Sequence, residues 1–119
     1  MSKEDLSADR WTRSYCSSHI GFCLTYHKNW WHKSFGTTGE NLWHVEIKNS
    51  EIDLLGEGPI VVALRSGDLT GAVDGQVKNE GGASVGYKSW TEGRHFEVSA
   101  PSALAAAVEK ITKSIIANP

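Results

Sequence analysis

A period of two dominates the pattern of apolar and polar residues, and it yields to a helical period only near the end of the chain. In IGFCLTY, residues 20–26, the side chains of Ile20, Phe22, Leu24 and Tyr26 share one side of an extended segment. RWTRSYCS before it is rich in strand formers and SSHIG between them suits a turn, so a first hairpin is expected. LWHVEIK, residues 42–48, alternates without a break. Trp43, Val45 and Ile47 are expected inside, with His44, Glu46 and Lys48 outside. PIVVALRSG is a near-continuous apolar run, the pattern of a central strand. SVGYKSW and RHFEVSA, joined by TEG, form the clearest hairpin. Its second arm sets Phe96, Val98 and Ala100 on one face and His95, Glu97 and Ser99 on the other.

After Pro101 the period lengthens. Leu104, Val108, Ile111 and Ile115 fall at i, i+4, i+7 and i+11, which predicts one amphipathic helix with Ser102 as its N-cap. Glu109 and Lys113 are spaced to pair along it. Elsewhere the pattern breaks. GTTGEN interrupts it, NSEIDLLGEGP reads as a connection with room for one helical turn, and the glycine-rich stretch 67–83 reads as a surface excursion with a short edge strand over Ala72 to Val77. Residues 1–10 carry no periodic face and are expected to form a frayed arm. Strands first and a helix last predict an α+β fold. Its antiparallel sheet would be covered by the C-terminal helix, with a short N-terminal or connecting helix as an option, in a single domain over 11–119.

Composition narrows the functional classes. A length of 119 residues fits one domain, and 39% hydrophobic with 22% charged residues suffices for a core without metal or disulfide staples. The net charge of −2 and scattered basic residues leave no footprint for nucleic acid. No apolar run is long enough to span a membrane. MSKEDLSADRW lacks the apolar centre of a secretory signal, so a cytoplasmic location is expected.

The order of motifs resembles the PsbP-like fold family, which includes the extrinsic photosystem II proteins and the small nuclear-import factor that binds Ran. GFCLTYHKNW, from Gly21 to Trp30, resembles the family's opening strand, and GYKSWTEGRHFEVSAPSALAAAVEKITKSI resembles its closing hairpin and helix. His27 stands where the family usually has proline. The resemblance implies an antiparallel sheet flanked by helices and a role that is mostly non-enzymatic. Beyond the Tyr26 and Trp30 pattern it transfers no site residue.

Candidate chemistry is sparse. Cys16, His19, Cys23 and His27 spell C-x2-H-x3-C-x3-H, a zinc-competent donor set. On one strand, however, Cys23 and His27 would lie about 13 Å apart, too far for one ion. The cysteines read better as small hydrophobes that could face one another across the hairpin. A disulfide is then geometrically open, although a cytoplasmic setting would keep the thiols reduced. A nucleophilic cysteine would need a neighbouring base or cation. HVE and HFE place His44 with Glu46, and His95 with Glu97, on shared strand faces. Were the two strands neighbours, the four could hold Zn or Mn on the sheet surface; otherwise they are a polar sheet face. Asp68 and Asp74 lack the spacing of a calcium loop, and no nucleotide, hydrolase or metalloprotease motif is present.

There remains YHKNWWHKSFG, residues 26–36. On an extended segment Trp30 and Trp31 point to opposite faces, so one anchors the core near Phe22 and Leu24 and the other faces solvent or a groove. Indoles dominate interface hot spots, so Tyr26, Trp31, His32 and Trp43 are the expected recognition patch, with Trp90 at the hairpin tip as a further exposed aromatic. The leading expectation is a non-enzymatic binding domain without a cofactor. Its partner would be a protein, a second copy of the chain in a homodimer, or a small apolar or anionic ligand. The alternative is a metal-dependent function on His44, Glu46, His95 and Glu97.

Overall fold

The computed structural model describes residues 10–18, 20–38, 41–54, 56, 58–67, 74–91 and 93–117. The arm expected over 1–10 therefore lies outside them except for Arg10, as do His19, Asp68 and the first two positions, 72 and 73, of the expected edge strand.

Among the described residues, nine strands and one α-helix form two layers. β1 (Arg13–Ser17) and β2 (Phe22–Tyr26) make the first hairpin. β3 (Trp31–Thr38), β4 (Asn41–Lys48), β5 (Ile60–Ser66), β6 (Val77–Glu80), β7 (Ala83–Ser89) and β8 (Arg94–Pro101) follow. One 3-10 turn then leads into α1 (Ala105–Ser114), and β9 (Ile116–Ala117) ends the described chain. Every pairing is antiparallel. A large sheet runs in the order β3-β4-β5-β8-β7-β6 and a small one in the order β1-β2-β9. The fold is α+β, with the helix on the sheet as the apolar periods predict.

The inner face of the large sheet carries Trp43, Val45, Ile47, Ile60, Val62, Leu64, Phe96, Val98 and Ala100, all buried. Two lids cover it. On the β7–β8 side lies α1, through Leu104, Val108 and Ile111. Gly86 on β7 permits this approach, because a Cβ there would run into the Thr112 side chain. On the β3–β4 side lies the β1–β2 ribbon, whose Phe22, Leu24 and Tyr26 join the same core. The lids are stitched together where the Thr25 N–H donates to Ser114 Oγ (2.9 Å) and where β9 pairs with β2.

Three local expectations differ from the structure. Ser102 does not cap the helix: it begins the 3-10 turn, and α1 starts at Ala105 without a side-chain cap. The short edge strand is present but later, over Val77–Glu80. His44 and Glu46 do not face water. Both are buried on the outer face of the large sheet, beneath Phe35 and the 49–59 connection. Alternation told the two faces apart, but it carried no information about the loop that covers the second one.

Glu46 is the anchor of that cover. Its carboxylate accepts from the Gly56 N–H (2.9 Å to Oε2) and the Gly58 N–H (2.8 Å to Oε1), and it meets His44 Nε2 at 3.1 Å. Burial alone would raise its pKa, but the two backbone donors and His44 together hold the carboxyl below the usual value. Gly58 must be glycine for this contact, since a Cβ would sit 2.5 Å from Glu46 Cβ.

Candidate functional site

Both lid edge and sheet edge fall on the same side of the molecule. β1 is one edge strand of the small sheet and β3 one edge strand of the large one, with β9 and β6 at the opposite edges. Strand alternation turns Arg13 and Tyr15 of β1, and His32 and Ser34 of β3, toward each other across the interlayer space. Tyr15 confirms the approach: its ring centroid lies 4.5 Å from that of His32, and it stacks on Trp43 at 5.9 Å. The result is an aromatic cluster packed between β1 and β3. Trp43 lies at its base, its Nε1–H donating to Ser34 Oγ at 2.9 Å, and Phe22 packs against Trp43 at the inner end.

At the outer end stands a polar trio. Tyr26 is fully buried, and its hydroxyl lies 2.7 Å from His32 Nδ1. The Arg13 guanidinium covers the Tyr26 ring at 5.7 Å and donates to the Trp30 carbonyl at 2.8 Å, which ties the start of β1 to the entry of β3. Burial pushes the Tyr26 phenol up, with the Arg13 charge opposing in part. Burial first, and then the Arg13 charge, hold the His32 ring below its ordinary value of 6.5. At neutral pH the phenol is therefore protonated and the imidazole uncharged. We assign the phenol O–H as donor to Nδ1, which leaves the ring hydrogen on Nε2. His32 is half-buried, and its bonded side faces the buried phenol. Its Nε2 has no hydrogen-bond partner among the described residues.

The expected recognition residues are distributed by this geometry. Tyr26, His32 and Trp43 come together around Tyr15, but Tyr26 and Trp43 are buried and not exposed contacts. Trp31 is 39% exposed and lies on the opposite face of β3, across from Lys48. Trp30 takes the anchoring role instead, buried between Trp11 (centroids 5.3 Å apart) and His27 (5.2 Å). Trp90 is not an exposed hairpin tip: it is half-buried and folds back onto Phe96 and Phe22 at 5.0 and 6.2 Å. Arg13 and Tyr15 belong to the same cluster and were missed. The run RWTRSYCS signals a strand, but only the meeting of two sheet edges reveals what its inner face opposes.

The alternative metal residues pair within each strand and not between strands. His95 Nε2 meets Glu97 at 2.8 Å while its Nδ1 lies 2.7 Å from the Gly67 carbonyl, and His44 is held by Glu46. β5 lies between β4 and β8, so the two pairs are two strand spacings apart. Among the described residues no three such side chains gather at one point. Cys16 and Cys23 face each other in register and form a disulfide, with Cα atoms 4.1 Å apart. Neither is then a thiolate ligand or nucleophile.

No helix among the described residues is long and apolar enough to cross a membrane. Comparison with protein-family models, curated proteins and solved structures finds no match to this chain.

Proposed function

We propose that the chain is a non-enzymatic binding domain whose site is the zone where β1 meets β3. One observation carries this reading: the Tyr26 hydroxyl, the His32 ring and the Arg13 guanidinium gather beside the Tyr15 and Trp43 rings at this meeting of two sheet edges. Groups with shifted titration gathered in one place are a mark of functional sites. Here they supply recognition. The trio contains no activated nucleophile, and the one ring nitrogen able to take a proton is occupied by the Tyr26 hydroxyl. A binding role also accords with the resemblance of the Gly21 to Trp30 opening to the PsbP-like family.

Trp31, at the other face of the same edge strand, extends the surface a larger partner could cover. A second copy pairing through β3 is disfavoured by its register shifts at Ser34 and Gly36, since such irregularities blunt a free edge. The disulfide favours an oxidising compartment over the cytoplasm expected from the N-terminus.

A fragment library screened by 1H–15N correlation spectra tests the reading. Ligands are expected to shift Arg13, Tyr15, His32 and Ser34 together. Hits that gather instead in the open groove of about 490 Å³ along Ala106, Glu109, Lys110, Lys113 and Ser114 would move the site to the helix.

A further inference from the structure

We propose that the Cys16–Cys23 bridge is a thiol-exchange site, opened in the folded protein by an external small thiol that attacks the Cys16 sulfur and expels Cys23. This chemistry is independent of any ligand bound where β1 meets β3.

The bridge lies on the outer face of the β1–β2 ribbon. Phe22, Leu24 and Tyr26 of β2 and Tyr15 of β1 turn into the molecule, so strand alternation turns Cys16 and Cys23 the other way. The two sulfurs have different surroundings. Cys16 is exposed on an edge strand, whereas Cys23 is only 9% exposed on the central strand of the small sheet. Ile116 of β9 is the register partner of Cys23. Directly opposed residues of an antiparallel pair share a face, so the Ile116 side chain stands beside Cys23.

Exchange proceeds by attack of a thiolate on one disulfide sulfur while the other leaves. The entering sulfur approaches in line with the bond that breaks. Because the cysteines are register partners, that bond crosses from β1 to β2. Attack on Cys16 therefore comes from beyond the β1 edge, where no described strand pairs. Attack on Cys23 would have to come over β9, past Ile116.

In the first step the thiolate bonds to Cys16 Sγ, the S–S bond breaks, and its electron pair leaves on Cys23 Sγ, which takes a proton from water. A second thiolate then displaces Cys16 from the mixed disulfide. In sum, two external thiols are oxidised to one disulfide and the bridge is reduced to two thiols. With the Cα atoms 4.1 Å apart, Cys23 is also placed to expel the adduct and close the bridge again. Opening does not require unfolding, since the ladder to β2 and the Arg13 bond to the Trp30 carbonyl remain to hold β1.

The test treats the intact, oxidised protein with rising concentrations of 2-mercaptoethanol, quenches with N-ethylmaleimide and maps both cysteines by mass spectrometry. The opening rate should rise in proportion to the thiol and pass the rate of global unfolding. Trapped intermediates should carry mercaptoethanol on Cys16 and maleimide on Cys23, with the reverse pattern about tenfold rarer because of the difference in access. Ile116→Ala, at a residue 60% exposed, should raise the share of mercaptoethanol on Cys23 and leave attack on Cys16 unchanged. An opening rate that levels off at the unfolding rate would overturn the proposal and make the bridge a structural cross-link alone. Mercaptoethanol found equally or mostly on Cys23 would overturn the choice of Cys16, and an unaltered partition in Ile116→Ala would overturn the shielding by β9.

Discussion

Among single residues, Glu46 gathers three hydrogen-bond partners, and its energetics can be stated with a sign. The carboxylate is 2% exposed and its acceptors are met by Gly56, Gly58 and His44. Hydrogen bonds to a buried charge contribute about 1.5–3 kcal/mol, so Glu46→Gln should cost roughly 2 kcal/mol in chemical denaturation. Its folded pKa lies below the ordinary 4.5. That contribution is therefore complete above pH 4.5 and is lost as pH falls toward the folded value. Stability measured from pH 6 downward should drop more steeply in the wild type than in Glu46→Gln. Gly58→Ala attacks the same contact from the other side. The added methyl meets Glu46 Cβ at 2.5 Å and the Ile47 N at 3.1 Å, neither of which can swing away. Overpacking of this kind costs about 1–3 kcal/mol, read as a lowered denaturation midpoint.

Among the elements, α1 and β1 carry opposite lessons about how a lid is held. α1 is seated by shape. Gly86→Ala would drive a methyl into the Thr112 side chain at the point where the helix meets β7, and should destabilise by roughly 1–3 kcal/mol. β1 is an edge strand held by β2 on one side, by the Arg13 bond to Trp30, and by the disulfide. Reduction, or Cys16→Ser with Cys23→Ser, should cost about 2 kcal/mol, the scale for a short closed loop. It should also broaden the Arg13 and Tyr15 resonances more than those of the large sheet, because those two residues ride on the freed strand. These elements differ in how they can be read. The strands over 22–26, 42–48, 60–66 and 83–101 are legible because their alternation reflects one buried face. The helix is legible from its apolar stripe, but its start is not, since the 3-10 turn at Ser102–Leu104 uses backbone bonds that leave no side-chain signature. The burial of His44 and Glu46 was likewise illegible, being imposed by a connection further along the chain whose Gly56 and Gly58 N–H groups reach Glu46.

For the whole molecule, the proposed site follows from two lids sharing one sheet face. α1 packs on β7 and β8, and the β1–β2 ribbon brings its β1 edge against β3, where Tyr15 meets His32. Half of the site was legible: Tyr26, His32 and Trp43 stood out as polar-tipped aromatics in strand segments. Arg13 and Tyr15 were not, because nothing local to RSYCS states which strand it will oppose. The account turns on the state of one ring, since an uncharged His32 with its hydrogen on Nε2 is a donor where β1 meets β3. The most direct measurement is the long-range 1H–15N spectrum of the His32 side chain in the free protein across pH. It should show a neutral ring at pH 7, hydrogen on Nε2, a hydrogen bond at Nδ1 and a midpoint below 6.5. A ring that carries its hydrogen on Nδ1, or that is still charged at pH 7, would contradict it.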